Sequence, residues 1–279
     1  MKFSRSIYLL IIIASPFFYN SCDSNINIFS KSDDVQLGLD ISNQIKGDPQ
    51  QYPIYHGDAS VKSYINSRIF QSILASPQIA SKNIYNYQLE IIDDDGVLNA
   101  FALPGGYIYV YTGLLKYLNS EASLAGILGH EIAHAELRHS TQRLTAQYGV
   151  SILLNLVLGE NPSQVAEIAS NLFVGFAFLA NSRSDESEAD RTSFSYLKDT
   201  RYYQGGVKFF FEKMRADNLV SIAPSAIETF LSTHPNPIDR ISEVNTLLQQ
   251  GNIEIKDYTA TGNGIFNDEY TTNIKNKIR

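Results

Sequence analysis

The sequence predicts an α+β fold, mainly α, in which helices surround one small antiparallel sheet. Three observations lead there. At 279 residues, 44% apolar and 18% charged, the chain can bury one sizeable core and is too weakly charged for a disordered protein. Two short stretches, "YQLEII" and "YIYVYT", alternate with period two, and the "NAFALPGG" between them supplies the Pro and Gly of a tight turn. Elsewhere apolar residues recur at helical spacing, most clearly from Asn119 to about Tyr148.

Taken in chain order, residues 1–21 read as an export signal. Lys2 and Arg5 precede an apolar run from Ile7 to about Tyr19, too short to cross a bilayer, which takes about 20 residues. Cys22 is the single cysteine, so no intramolecular disulfide can form. Its place directly after the signal has two readings, a stray thiol or the lipid-modified first residue of a mature lipoprotein anchored to a membrane by its acyl chains, and the second is the expectation. "YNSC" resembles a lipoprotein cleavage box at Ser21 and Cys22 and departs from it at Tyr19 and Asn20. Residues 22–32 then form a polar tether, residues 33–250 the main domain, and residues 251–279 a polar, weakly patterned tail without an assigned role.

Within the domain, Asp33 is a candidate cap for a first helix, and "ASVKSYINSRIFQSILAS" reads as a second. After the sheet, Asn119 or Ser120 caps a long helix with Glu121 in its first turn, running to about Tyr148, where Gly149 can end it. "VSILLNLVLG" and "NLFVGFAFLA" follow as apolar helical runs, the second read as buried core, and "SRSDESEADRTSFSYL" and "YYQGGVKFFFEKM" as two more helices. The net charge of -7 leaves no basic stripe for a phosphate backbone, which argues against nucleic acid as a partner. Nothing in the sequence fixes an oligomeric state.

Three of the five histidines fall within "GILGHEIAHAELRHSTQR". His130, Glu131 and His134 spell H-E-x-x-H, and residues four apart share a helix face, so both imidazoles can reach one ion. Glu131 sits beside such an ion, placed to take a proton from water that the ion activates. A third protein ligand is expected. His139 has the wrong register for it: a metzincin pattern needs Gly at 137 and His at 140, where Leu137 and Ser140 stand. On a continuous helix His139 points about 140° away from His134, toward the surface or behind a ligand. The better candidates are Glu186 and Asp190 in "DESEAD", four apart on the next long helix. One carboxylate can bind the metal while the other orients a ligand histidine.

The segments "NAFALPGGYIYVYTGLL", "GHEIAHAELRHSTQR", "SRSDESEAD" and "THPNPIDRI" occur in this order, and together they resemble metallopeptidase family forty-eight, over about residues 33–249. The resemblance implies a zincin-like gluzincin with one Zn2+ per chain held by His130, His134 and Glu186, and Glu131 as general base. It also implies that Asn99, Ala100 and Phe101 form an edge strand beside the cleft, able to pair with an extended polypeptide substrate. With no transmembrane pair inside the domain, the chain looks most like the exported branch of the family, whose members act in the periplasm.

His234, within a Pro-rich loop that the resemblance places near the cleft, has three readings: a donor to the oxyanion, a resting-state ligand that blocks the open metal position, or a turn residue. The function expected is zinc-dependent endopeptidase activity on unfolded or misassembled envelope proteins. The alternative is an envelope assembly factor that mainly binds unfolded membrane proteins, with cleavage secondary.

Overall fold

The computed structural model describes residues 26–148, 181–219, 224–235 and 237–278. The export signal, Cys22 and the apolar runs at 150–159 and 171–180 lie outside the described residues.

Helix α1 (Lys31–Gly47) begins where Ser30 accepts from the Asp33 amide while the Asp33 side chain accepts from the Ser30 amide. This reciprocal cap satisfies two backbone donors. It caps the helix three residues before the predicted cap at Asp33, and the end of the predicted tether is packed rather than free. Phe29 is buried, and the Asn27 side-chain amide donates to Thr141 Oγ1 at 2.8 Å. Helix α2 (Ala59–Tyr64) continues through a wider π-helical stretch (Ile65–Phe70) into α3 (Gln71–Leu74), so the second predicted helix is one continuous rod.

The sheet consists of β1 (Gln88–Ile92), β2 (Ala100–Leu103) and β3 (Tyr107–Tyr111), in the order β1-β3-β2. β2 and β3 pair antiparallel, but β3 pairs parallel with β1. The sheet is therefore mixed, where the sequence predicts an antiparallel one. β2 reverses the chain and β3 reverses it again, so β3, inserted between the other two, runs with β1. Alternation identifies strands and is silent on which neighbours which. Tyr107, Tyr109 and Tyr111 pack with Leu37, Ile41 and Ile45 of α1, whereas Ile108 and Val110 join the larger core on the opposite face.

That core is built on α4 (Thr112–Tyr117), α5 (Glu121–Glu136), α7 (Arg183–Leu197) and α8 (Val207–Ala216), with α6 (His139–Tyr148) following α5. Ser120 caps α5. Glycines let its neighbours come close: a Cβ on Gly126 would lie 2.1 Å from the Val207 nitrogen, and one on Gly129 would lie 2.6 Å from Ser193 Oγ on α7. The first contact brings α8, and the second α7, close against α5, the helix that bears the histidines. The predicted single helix to Tyr148 is two. Arg138 breaks it with φ 62°, a left-handed backbone that costs a non-glycine residue about 1–2 kcal/mol. The break is held by Asp34, 2.5 Å from Arg138 Nε, and by the Phe29 carbonyl, which accepts from Arg138 Nη2.

Two further helices, α9 (Pro224–Thr233) and α10 (Pro237–Gln250), precede the C-terminal segment. This segment is not a free polar tail. Ile265, Tyr270, Ile274 and Ile278 are buried in the main core, on and around α11 (Asn267–Tyr270) and the π-helical turn Thr271–Lys275. The carbonyls of Phe266 and Ile265 accept from the amides of Glu121 and Ala122, satisfying donors that the start of α5 would otherwise leave open. No described helix is long and apolar enough to cross a membrane.

Candidate metal centre

His130 and His134 lie one turn apart on α5, both buried, with their Nε2 atoms 2.9 Å apart. Glu186, in the first turn of α7, reaches across: Oε1 is 3.2 Å from His134 Nε2 and Oε2 is 3.5 Å from His130 Nε2. His234, at the end of α9, brings Nδ1 to 3.0 Å from Glu186 Oε1. One ligand atom from each of these four residues lies within 4.8 Å of the others.

The surroundings fix which nitrogen faces the centre. His130 Nδ1 is 2.9 Å from Asp190 Oδ1, so the neutral ring keeps its proton there, donating to the carboxylate, and turns the Nε2 lone pair to the centre. His134 Nδ1 is 2.8 Å from His139 Nδ1, and His139 Nε2 is 3.4 Å from Glu188 Oε2, a chain that again leaves His134 Nε2 free. His139 is fully buried behind His134. The break at Arg138 turns it inward, where a continuous helix would have carried it away.

Arg240, on α10, is one residue that sequence reasoning missed. Its Nε and Nη2 donate to the two oxygens of Asp190 at 2.7 and 2.6 Å, and its Nη1 donates to Glu186 Oε2 at 2.6 Å. It lies within the quoted "THPNPIDRI". The only sequence signal for its role was that two buried carboxylates on one helix face need a counter-charge. Asn181 is a second missed residue, its amide nitrogen 3.3 Å from His234 Nδ1 and 3.5 Å from His134 Nε2.

Burial raises the pKa of Glu131, outweighing the opposing pull of His234 and His130. His134 is pushed well below the ordinary histidine value by burial and by the His130 charge, which keeps it neutral and able to ligate. Burial opposes ionisation of Glu186, but His234, Arg240 and His130 hold its carboxyl well below the usual range. The donor set fits a divalent cation: the imidazoles of His130, once deprotonated, and of His134 converge with an ionised carboxylate, and His234 Nε2 is buried with no hydrogen-bond partner among the described residues.

Among the residues put forward for substrate, Ala100 and Phe101 begin β2, which is an edge strand. Asn99 precedes it, buried, with its side-chain oxygen accepting from the Ala100 amide.

Two imidazoles from an H-E-x-x-H helix, joined by a carboxylate of a second helix, define the site of a metallopeptidase. The chain belongs to Peptidase family M48, which it matches over residues 61–248. It is similar to the mitochondrial metalloendopeptidase OMA1 of Schizosaccharomyces pombe, with 27% identity over 202 residues, covering 71% of this chain and 58% of the relative. It is also similar to the putative beta-barrel assembly-enhancing protease of Vibrio cholerae, with 29% identity over 168 residues, covering 53% of this chain and 32% of the relative. The metalloprotease YcaL of Escherichia coli is 28% identical over 173 residues, covering 60% of this chain and 63% of the relative. The chain thus spans less than two thirds of the length of each of these relatives.

Proposed function

We propose that this protein is a zinc-dependent endopeptidase of the bacterial cell envelope, attached by a lipid on Cys22, that hydrolyses extended segments of unfolded or misassembled envelope proteins. The observation that carries this reading is the convergence of His130 Nε2, His134 Nε2 and the Glu186 carboxylate, with Glu131 adjacent. Relatives named beta-barrel assembly-enhancing protease support the envelope setting.

His130, His134 and Glu186 would hold the ion, with Asp190 and His139 orienting the two imidazoles from behind. A zinc ion held there supplies Lewis acidity, acidifying water and polarising the scissile carbonyl. Glu131 takes the proton as the water oxygen bonds to the carbonyl carbon, then delivers it to the nitrogen as the C–N bond breaks. Burial raises its pKa toward the range that suits such a shuttle. The edge of β2 offers backbone groups to which an extended peptide can add as a strand. His234, with Nδ1 3.0 Å from Glu186 Oε1, would close the centre at rest and would have to give way to substrate.

The test is Glu131→Gln, assayed on an unfolded protein substrate. Turnover falls by 10²–10⁴-fold while bound metal is retained. Full metal-dependent proteolysis by the variant would contradict the role, and rescue of a deletion strain by the inactive variant would favour the assembly factor.

A further inference from the structure

Arg143 lies one turn beyond His139 on α6, and residues four apart share a helix face. His139 contacts His134, so this face of α6 turns toward the metal centre. The helix is fixed in that orientation from its other side. Thr141 and Thr145 accept from Asn27 and Ile28, and Leu144 is buried in the α1 side of the core.

Arg143 is only partly exposed, and its Nε and Nη1 are shielded from solvent with no hydrogen-bond partner among the described residues. Burial lowers its pKa, and the negative charges of Asp185, Glu186 and Glu131 work against that, so it sits in the field of the candidate base and of a candidate metal ligand while bonding to neither. The other arginines around the site are committed, Arg138 to Asp34 and the Phe29 carbonyl, Arg240 to Asp190 and Glu186. Shielding a guanidinium without a partner costs stability.

We propose that Arg143 is a substrate-binding residue that receives a carboxylate of the bound peptide beside the metal centre, from an acidic side chain or from the peptide's own C-terminus. The planar fork of a guanidinium matches a carboxylate through two parallel hydrogen bonds, which lysine cannot reproduce. This inference rests on the peptidase reading and names its substrate class: peptides carrying negative charge near the scissile bond.

The experiment uses the full chain with Glu131→Gln, loaded with zinc, and fluorescent peptides read by anisotropy. In one series a single Gln is replaced by Glu at each position in turn, and in a second the C-terminus is free or amidated. One acidic register, or the free terminus, tightens binding about tenfold or more. Arg143→Gln removes that difference, Arg143→Lys keeps only part of it, and Arg143→Glu reverses it in favour of a lysine at the same position. Equal binding of acidic and neutral peptides, or a preference that survives Arg143→Gln, overturns the inference. Binding is read without turnover, and cleavage of the same peptides is read on the parent chain, so a preference for acidic peptides with no cleavage by the parent keeps this inference and loses the hydrolytic reading. A chain that cleaves without charge preference does the reverse.

Discussion

Asp190 Oδ1 lies 2.9 Å from His130 Nδ1, with both groups buried and the same carboxylate gripped on its two oxygens by Arg240. This contact sets the imidazole tautomer that leaves Nε2 free for a metal. Asp190→Asn keeps the shape but weakens the hold. Its expected effect is a 10–100-fold loss of zinc affinity, measured by competition with a chelating dye. Unchanged affinity would mean that the orientation of His130 is fixed by packing alone.

Arg240 neutralises two buried carboxylates at once. Arg240→Met leaves both without their cation, and removing one partner from such a buried cluster costs about 3–5 kcal/mol. Chemical denaturation of the metal-free variant should show a loss of that order. A loss below about 1 kcal/mol would place these groups in a far wetter setting than the structure describes.

A pH dependence follows from His130. Burial and Arg240 push its pKa down, but Glu186 and Asp190 outweigh them and lift it from 6.5 to about 9 in the metal-free chain. A histidine raised on folding contributes stability that is complete below its unfolded value and lost as pH rises through the folded one. The thermal midpoint of the metal-free protein should therefore fall between pH 6.5 and about 9, and His130→Ala should flatten that limb. Zinc requires the deprotonated ring, so its affinity should rise over the same interval. A midpoint that climbs through this range would contradict the sign.

His234 stacks on Phe230 with ring centroids 4.9 Å apart and places Nε2 3.6 Å from Glu131 Oε1. In the proposed role of resting occupant it would compete with substrate. His234→Ala should raise turnover of an unfolded protein several-fold. A loss of turnover would assign it to the oxyanion instead, and no change would leave it a turn residue.

Legibility in the sequence followed the range of the interactions. His130, Glu131 and His134 stand out by spacing within one helix, and Glu186 with Asp190 by a second four-residue spacing, but that spacing left open which carboxylate is the ligand, and only the family resemblance chose Glu186. Arg240, His139 and Asn181 act through contacts that only the fold creates. The inward turn of His139 depends on Arg138, a residue with no propensity to break a helix, held by partners more than a hundred positions away. The parallel pairing of β1 with β3 was hidden because alternation carries no neighbour information. Tyr270, Ile274 and Ile278 do recur every fourth residue, but the polar residues between them masked a face that the core buries.

The most direct measurement is the metal content of the purified full-length chain beside Glu186→Ala, by mass spectrometry of the elements. The expected result is one zinc per parent chain, sharply reduced in the variant, with circular dichroism showing both folded. A folded variant that retains a full equivalent of zinc would contradict the convergence of His130, His134 and Glu186 on a single ion.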